Sequence, residues 1–106
     1  MKFVVIITQA NPEQVFTALR FANFSRSQSN EVTVFLTAEG VETVRLENPD
    51  FDIKGQATTF VQNGGAVLSC GTCMKLRDLA GSDICTPSTM QGLYDLVVES
   101  DKVVTF

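Results

Sequence analysis

Short runs of consecutive apolar residues alternate along this chain with longer segments whose apolar positions recur every three or four residues. The first run, Phe3 to Thr8, is β-branched and aromatic, the pattern of a strand covered on both faces. Asn11 then stands as an N-cap with Pro12 in the first helical position, and Gln14 lies at capping-box spacing from Asn11. Val15, Leu19 and Ala22 repeat at helical spacing, which predicts a helix to about Ser25. A polar stretch to Asn30 is a loop, and Val32 to Leu36 reads as a second strand. Strand, helix and strand joined over this distance form a βαβ unit, whose strands run parallel.

The second half repeats the alternation less cleanly. Val41 to Asn48 suggests a short helix that Pro49-Asp50 interrupts, and the segment is expected as a mobile loop near one edge of the sheet. Ile53, Ala57, Phe60 and Val61 again follow helical spacing, with Asn63-Gly64-Gly65 as cap and turn. Ala66 to Ser69 is a third short strand. Met74, Leu76, Leu79 and Ala80 predict the buried side of a helix that ends at Gly81. Asp83 to Cys85 reads as a brief fourth strand. Thr86-Pro87-Ser88 then starts a last helix, with Ser88 and Gln91 at capping-box spacing and an apolar stripe of Met90, Leu93 and Val97. Lys102 to Phe106 closes the chain as a fifth strand. No repeat, low-complexity tract or linker interrupts this order, so residues 1–106 form a single domain. The expected architecture is a three-layer α/β/α sandwich around a mostly parallel five-stranded sheet.

Charge and cysteine content narrow what such a domain does. A formal charge of −4 argues against a surface that tracks phosphates, so no direct nucleic-acid partner is expected. Histidine is absent, which removes cysteine–histidine catalysis and most zinc chemistry. Three cysteines make an odd, sparse set, more in keeping with a reducing cytosol than with a secreted disulfide scaffold. The apolar run after Lys2 is too short for a signal peptide, and no stretch approaches the length of a membrane span. The chain therefore reads as a soluble, cytoplasmic protein.

The candidate chemistry lies in Ser69-Cys70-Gly71-Thr72-Cys73-Met74-Lys75-Leu76-Arg77. The third strand runs directly into it, and open parallel sheets bind ligands beyond the carboxyl ends of their strands. Cys70 falls at or just before the first turn of a helix and Cys73 one turn in. A helix N-terminus lowers a thiol pKa, and the thiolate is the nucleophilic form. Lys75 and Arg77 add positive charge. Structural zinc wants four ligands, and one CxxC with a lone Cys85 and no histidine falls short within one chain, leaving only a site shared across subunits. A thioredoxin-like thiol–disulfide protein shares the CxxC-at-helix-start arrangement, but here the pair comes late, after two βα units. An oligomeric small-ligand-binding or regulatory module with incidental cysteines is a third possibility. Cys85, beside Ile84, reads as core, or as a third reactive thiol if it lies next to the turn.

The cysteine turn, with Arg77 downstream, resembles that of the DsrE/DsrF-like sulfur-relay family, and of its YchN-type members in particular. The ending Ser100 to Phe106 is similar to that family's terminal strand, and the first strand and Asn-Pro helix start also fit. This resemblance implies a cytoplasmic α/β protein, usually a homo-oligomer (trimer or hexamer) or a hetero-oligomer with paralogous subunits. It implies sulfur donor and acceptor proteins as partners, and no organic cofactor or metal. By motif position it makes Cys70 the thiol that carries sulfane sulfur as a persulfide, Cys73 the second cysteine that some members have, and Arg77 an accessory residue. Cys73 is expected to act second, releasing sulfur from a Cys70 persulfide or protecting Cys70 as a reversible disulfide. The chain departs from the pattern at Asp78, where the family often has glycine.

Overall fold

In the computed structural model, which describes residues 1–106, the alternation becomes a sheet of five strands that all run the same way. Strands β1 (Lys2–Ile7) and β2 (Glu31–Leu36) flank helix α1 (Pro12–Ser27). A 3-10 helix (Ala38–Arg45) and helix α2 (Ile53–Gln62) lead to β3 (Ala66–Cys70). There follow the short helix α3 (Gly71–Lys75), β4 (Thr86–Ser88), α4 (Met90–Glu99) and β5 (Lys102–Thr105). The spatial order is β4-β3-β2-β1-β5, with every pairing parallel.

Local chemistry sets the helix ends. The Asn11 side chain accepts the Gln14 N–H at 3.1 Å. The reciprocal half of the expected capping box is replaced: Gln9, not Gln14, takes the Asn11 N–H, at 2.7 Å. Helix α2 stops where Gly64 adopts a φ of 89°, with the Gly65 N–H reaching back to Phe60 O. A side chain there would be strained, so glycine serves as the stop.

One face of the sheet buries Val5, Ile7, Val32, Val34, Leu36 and Val67 against Val15, Leu19, Ala22, Ile53 and Phe60 from α1 and α2. Each of the larger side chains contributes about 1.5–3 kcal/mol by leaving water, so this face holds the main core of the domain. Helix α4 lies over the other face, with Leu96 beside Val4 and Thr33. The result is the three-layer α/β/α sandwich that the alternation predicts.

Four local expectations are corrected. Residues 41–45 are the short helix that their spacing suggests, part of a 3-10 helix and not an edge loop, and only 46–48 are irregular. Gly40, Val41 and Thr43 are buried, and the 3-10 helix packs down beside the end of β1. Residues 83–85 are a turn rather than the fourth strand. The Ser82 hydroxyl accepts the N–H groups of Ile84 and Cys85, so pairing begins only at Thr86, opposite Leu68. Thr86 to Ser88 therefore belong to that strand, and the last helix is capped by Thr89, which accepts the Gly92 N–H at 3.1 Å. Its predicted stripe is not a core stripe: no α4 residue is buried, and Met90, Tyr94 and Val98 are 73%, 64% and 63% exposed.

The fourth correction concerns the helix after the cysteines. It does not reach Gly81. Asp78 turns into the left-handed region at φ 52°, the Leu79 N–H bonds Met74 O at 2.9 Å, and the Asp78 N–H bonds Lys75 O at 3.2 Å. These two bonds form a Schellman stop, here with aspartate where glycine fits more easily.

A candidate thiol site at the sheet's carboxyl edge

Because all five strands run parallel, their carboxyl ends share one edge of the sheet. Register brings Leu36 opposite Ser69 and Cys70 opposite Ser88, so the residues that leave β2, β3 and β4 converge. Thr37, Cys70, Cys73, Lys75, Ser88 and Thr89 line a cleft of about 690 Å³ that opens to solvent, with Met74, Leu79 and Pro87 as its apolar wall. A second, tighter cleft lies under the 3-10 helix among Leu19, Leu36, Val67 and Ile84 and touches neither thiol.

Cys70 is the N-cap residue of α3, and both Cys70 and Cys73 are free thiols of intermediate exposure. Five residues give α3 little macrodipole, so the expected source of positive potential is weak here. The donors come from elsewhere. The backbone N–H of Ala38, at the start of the 3-10 helix, points at Cys73 Sγ across 3.3 Å, and Thr37 Oγ1 lies 3.9 Å from the same sulfur.

The Cys73 thiol is held below its ordinary range. The neighbouring Cys70 thiol is the largest cause, and the Ala38 N–H, the Thr37 hydroxyl and the Arg77 charge add to it against the opposing effect of burial. The hydrogen-bond donors of the site thus gather on the second cysteine of the pair.

Arg77 does not touch either sulfur. Its guanidinium donates to the Cys73 carbonyl at 3.1 Å and pairs with Glu42 at 3.5 Å. Glu42 also forms a forked pair with Arg45, which together with Arg77 keeps its carboxyl below the usual carboxylate range. One carboxylate therefore ties the 3-10 helix, which carries Ala38, to the backbone that carries Cys73. Lys75 is exposed on the cleft wall. Cys85 lies apart: it is buried, does not line the cleft, and burial pushes its thiol up despite the neighbouring Ser69 hydroxyl.

The CxxC spacing brings Cys70 and Cys73 together, as the sequence implies. Thr37, Ala38 and Glu42 escape sequence reasoning, because they act only through the pairing of β2 beside β3. The one available signal was Thr37's place immediately after a strand, at the edge where such sheets bind ligands.

A family model described as the DsrE/DsrF-like family matches residues 1–106. An uncharacterized protein of Methanocaldococcus jannaschii is 34% identical over 114 residues, with both chains covered in full. Another, from Methanopyrus kandleri, is 34% identical over 113 residues, covering 96% of this chain and 91% of its own. Among solved structures, the ychN protein from E. coli superposes with a TM-score of 0.86 at 24% identity over the whole of both chains. A conserved protein of unknown function from Bacteroides thetaiotaomicron gives 0.80 at 18% identity, over 99% of this chain and 94% of that one. Both superpositions speak for the fold.

Proposed function

We propose that this chain, which belongs to the DsrE/DsrF-like family, is a sulfur-relay protein that carries sulfane sulfur on Cys70 and passes it to an acceptor thiol. One observation carries the reading: two partly exposed thiols line the wall of an open cleft, and the second is surrounded by donors that favour its anion. Proton transfer from Cys70 to Cys73 frees the Cys70 thiolate to attack the terminal sulfur of a donor persulfide. The Cys70 S–S bond forms as the donor's breaks, and the donor leaves as a thiolate. Repeating that exchange with an acceptor thiolate returns Cys70 to its starting state, so the chemistry calls for no organic cofactor and no metal.

Donor and acceptor are proposed to be proteins, since the cleft is open and its wall is apolar enough to seat a protein segment bearing a persulfide. Self-association is part of the proposal, as a homo-oligomer or with paralogous subunits. The exposed Met90, Tyr94 and Val98 of α4 and Val103 of β5 supply an apolar surface for it. No helix is long and apolar enough to cross a membrane, and a cytoplasmic location is the proposed setting for free thiols.

The test is intact mass after incubation with a persulfide donor. Quenched at once, before any sulfide is released internally, wild type and Cys85→Ser are expected to gain one sulfur atom, and Cys70→Ser none. Equal loading of Cys70→Ser would transfer the carrier role to Cys73, and no gain on any variant would end the proposal.

A further inference from the structure

The surroundings of Cys73 exceed what a carrier needs. A carrier requires one accessible thiol, whereas here the neighbouring sulfur is also fixed in place. The Ala38 N–H meets it at 3.3 Å, the Thr37 hydroxyl lies at 3.9 Å, and Arg77 grips the carbonyl of the same residue at 3.1 Å. Ala38 makes its contact from the left-handed region, at φ 51°, a conformation disfavoured for a residue with a Cβ. Such strain persists only where the surrounding structure imposes it. Gly40 lets that structure form: a Cβ there would run into the Ile7 carbonyl, so only glycine allows the 3-10 helix to come down onto the end of β1.

Once the proton taken up by Cys73 has passed to the departing donor thiolate, a persulfide on Cys70 stands one turn away from a Cys73 sulfur whose neighbours favour its anion. We infer that Cys73 is a resolving thiol: it attacks the inner sulfur of Cys70–S–SH, closes a Cys70–Cys73 disulfide and expels hydrosulfide. The inference rests on the reading of Cys70 as the sulfur-bearing residue. The step balances without an outside oxidant. A bond forms between the two cysteine sulfurs as the bond to the terminal sulfur breaks, and the electron pair leaves with HS⁻. The sulfane sulfur is reduced to sulfide while the two cysteine sulfurs are oxidised to a disulfide. A dithiol reductant must then restore the pair. Sulfur on this protein thus has two exits, to an acceptor when one is docked and to solution as sulfide when none is.

The experiment loads the whole protein with inorganic polysulfide, removes the excess, and follows released sulfide and intact mass with no acceptor present. Wild type is expected to release about one sulfide per loaded chain and to finish two hydrogens lighter than the reduced protein. Cys73→Ser is expected to keep its extra sulfur and release sulfide at least about tenfold more slowly, a barrier change of about 1.4 kcal/mol. Thr37→Val should move the pH midpoint of release upward, and Thr37→Ser should bring it back, which a merely structural role for Thr37 would not do. Equal release by wild type and Cys73→Ser, or a loaded wild type that never forms the disulfide, overturns the inference while leaving the carrier reading intact. Failure of both proteins to gain sulfur overturns the carrier reading, and this one with it.

Discussion

The backbone N–H of Ala38 meets the sulfur of Cys73 at 3.3 Å, although the two residues are 35 positions apart. The contact exists because β2 and β3 are neighbours in a parallel sheet, with Leu36 opposite Ser69, so the residues just past each strand end face one another. The electropositive environment of the thiol pair is therefore built between two strand exits, with little from the cysteines' own short helix.

The pair should titrate accordingly. Peptide-resolved alkylation is expected to place the midpoint for Cys73 below the 9.0 of an ordinary thiol. In Cys70→Ala, which removes the largest cause, the midpoint should rise. The sign for stability follows. A thiol with a lowered folded-state pKa favours the folded chain above the unfolded pKa, and that contribution is lost as pH falls through the folded pKa. Cys73→Ser should flatten this rise in stability just below pH 9.0, as read from denaturant midpoints. A Cys73 midpoint at or above that of a free thiol would count against the site as described.

Gly40→Ala tests the link between fold and site. The added methyl would meet the backbone of Ile7, with the carbonyl carbon only 2.6 Å away, and backbone in a central strand cannot yield cheaply. A loss of about 1–3 kcal/mol is expected by thermal or urea unfolding. The alkylation midpoint of Cys73 should rise in the same variant, since the 3-10 helix carries the Ala38 donor. An unchanged stability would show that this helix is not pinned as tightly as the geometry says.

Much of the fold was legible because period alone distinguishes its elements: β1, α1, β2 and α2 all lie where the apolar spacing puts them. What failed lies where apolar spacing stops being about burial. Met90 and Val97 keep helical spacing on α4 yet face outward, so a pattern that usually marks a core marks an uncovered surface here. Ile84-Cys85 reads as strand, but the Ser82 hydroxyl claims the N–H groups that a strand would pair. The CxxC was visible at once. Its donors were not, because strand adjacency is a property of the folded sheet.

Asp78→Gly should stabilise the protein. Asp78 sits at φ 52° as the stop of the cysteine helix, where glycine avoids the Cβ penalty. Aspartate tolerates this region better than most residues, so the gain is expected at roughly 0.5 kcal/mol, visible as a small rise in Tm. The charge of Asp78 also acts on Arg45 across an exposed surface, and losing it should offset little of the gain. A clear loss of stability would mean that the carboxylate matters more than the backbone shape.

Cys85 provides the sharpest contrast with the pair. It is buried away from the cleft, and its thiol is raised by desolvation. For such a group the sign reverses. Below the unfolded pKa both states hold the proton and the contribution is fully present. Above it the unfolded chain ionises while the folded chain does not, so stability falls as pH rises toward the folded pKa. Cys85→Ala should remove that alkaline decline, measured by urea midpoints on either side of 9.0. At neutral pH it should cost about 1 kcal/mol for the small cavity left behind. Sulfur loading of the pair should be unchanged, because nothing about the Cys70–Cys73 geometry depends on the Cys85 sulfur. Loss of loading in a Cys85→Ala protein that still unfolds cooperatively would make it a third relay thiol instead.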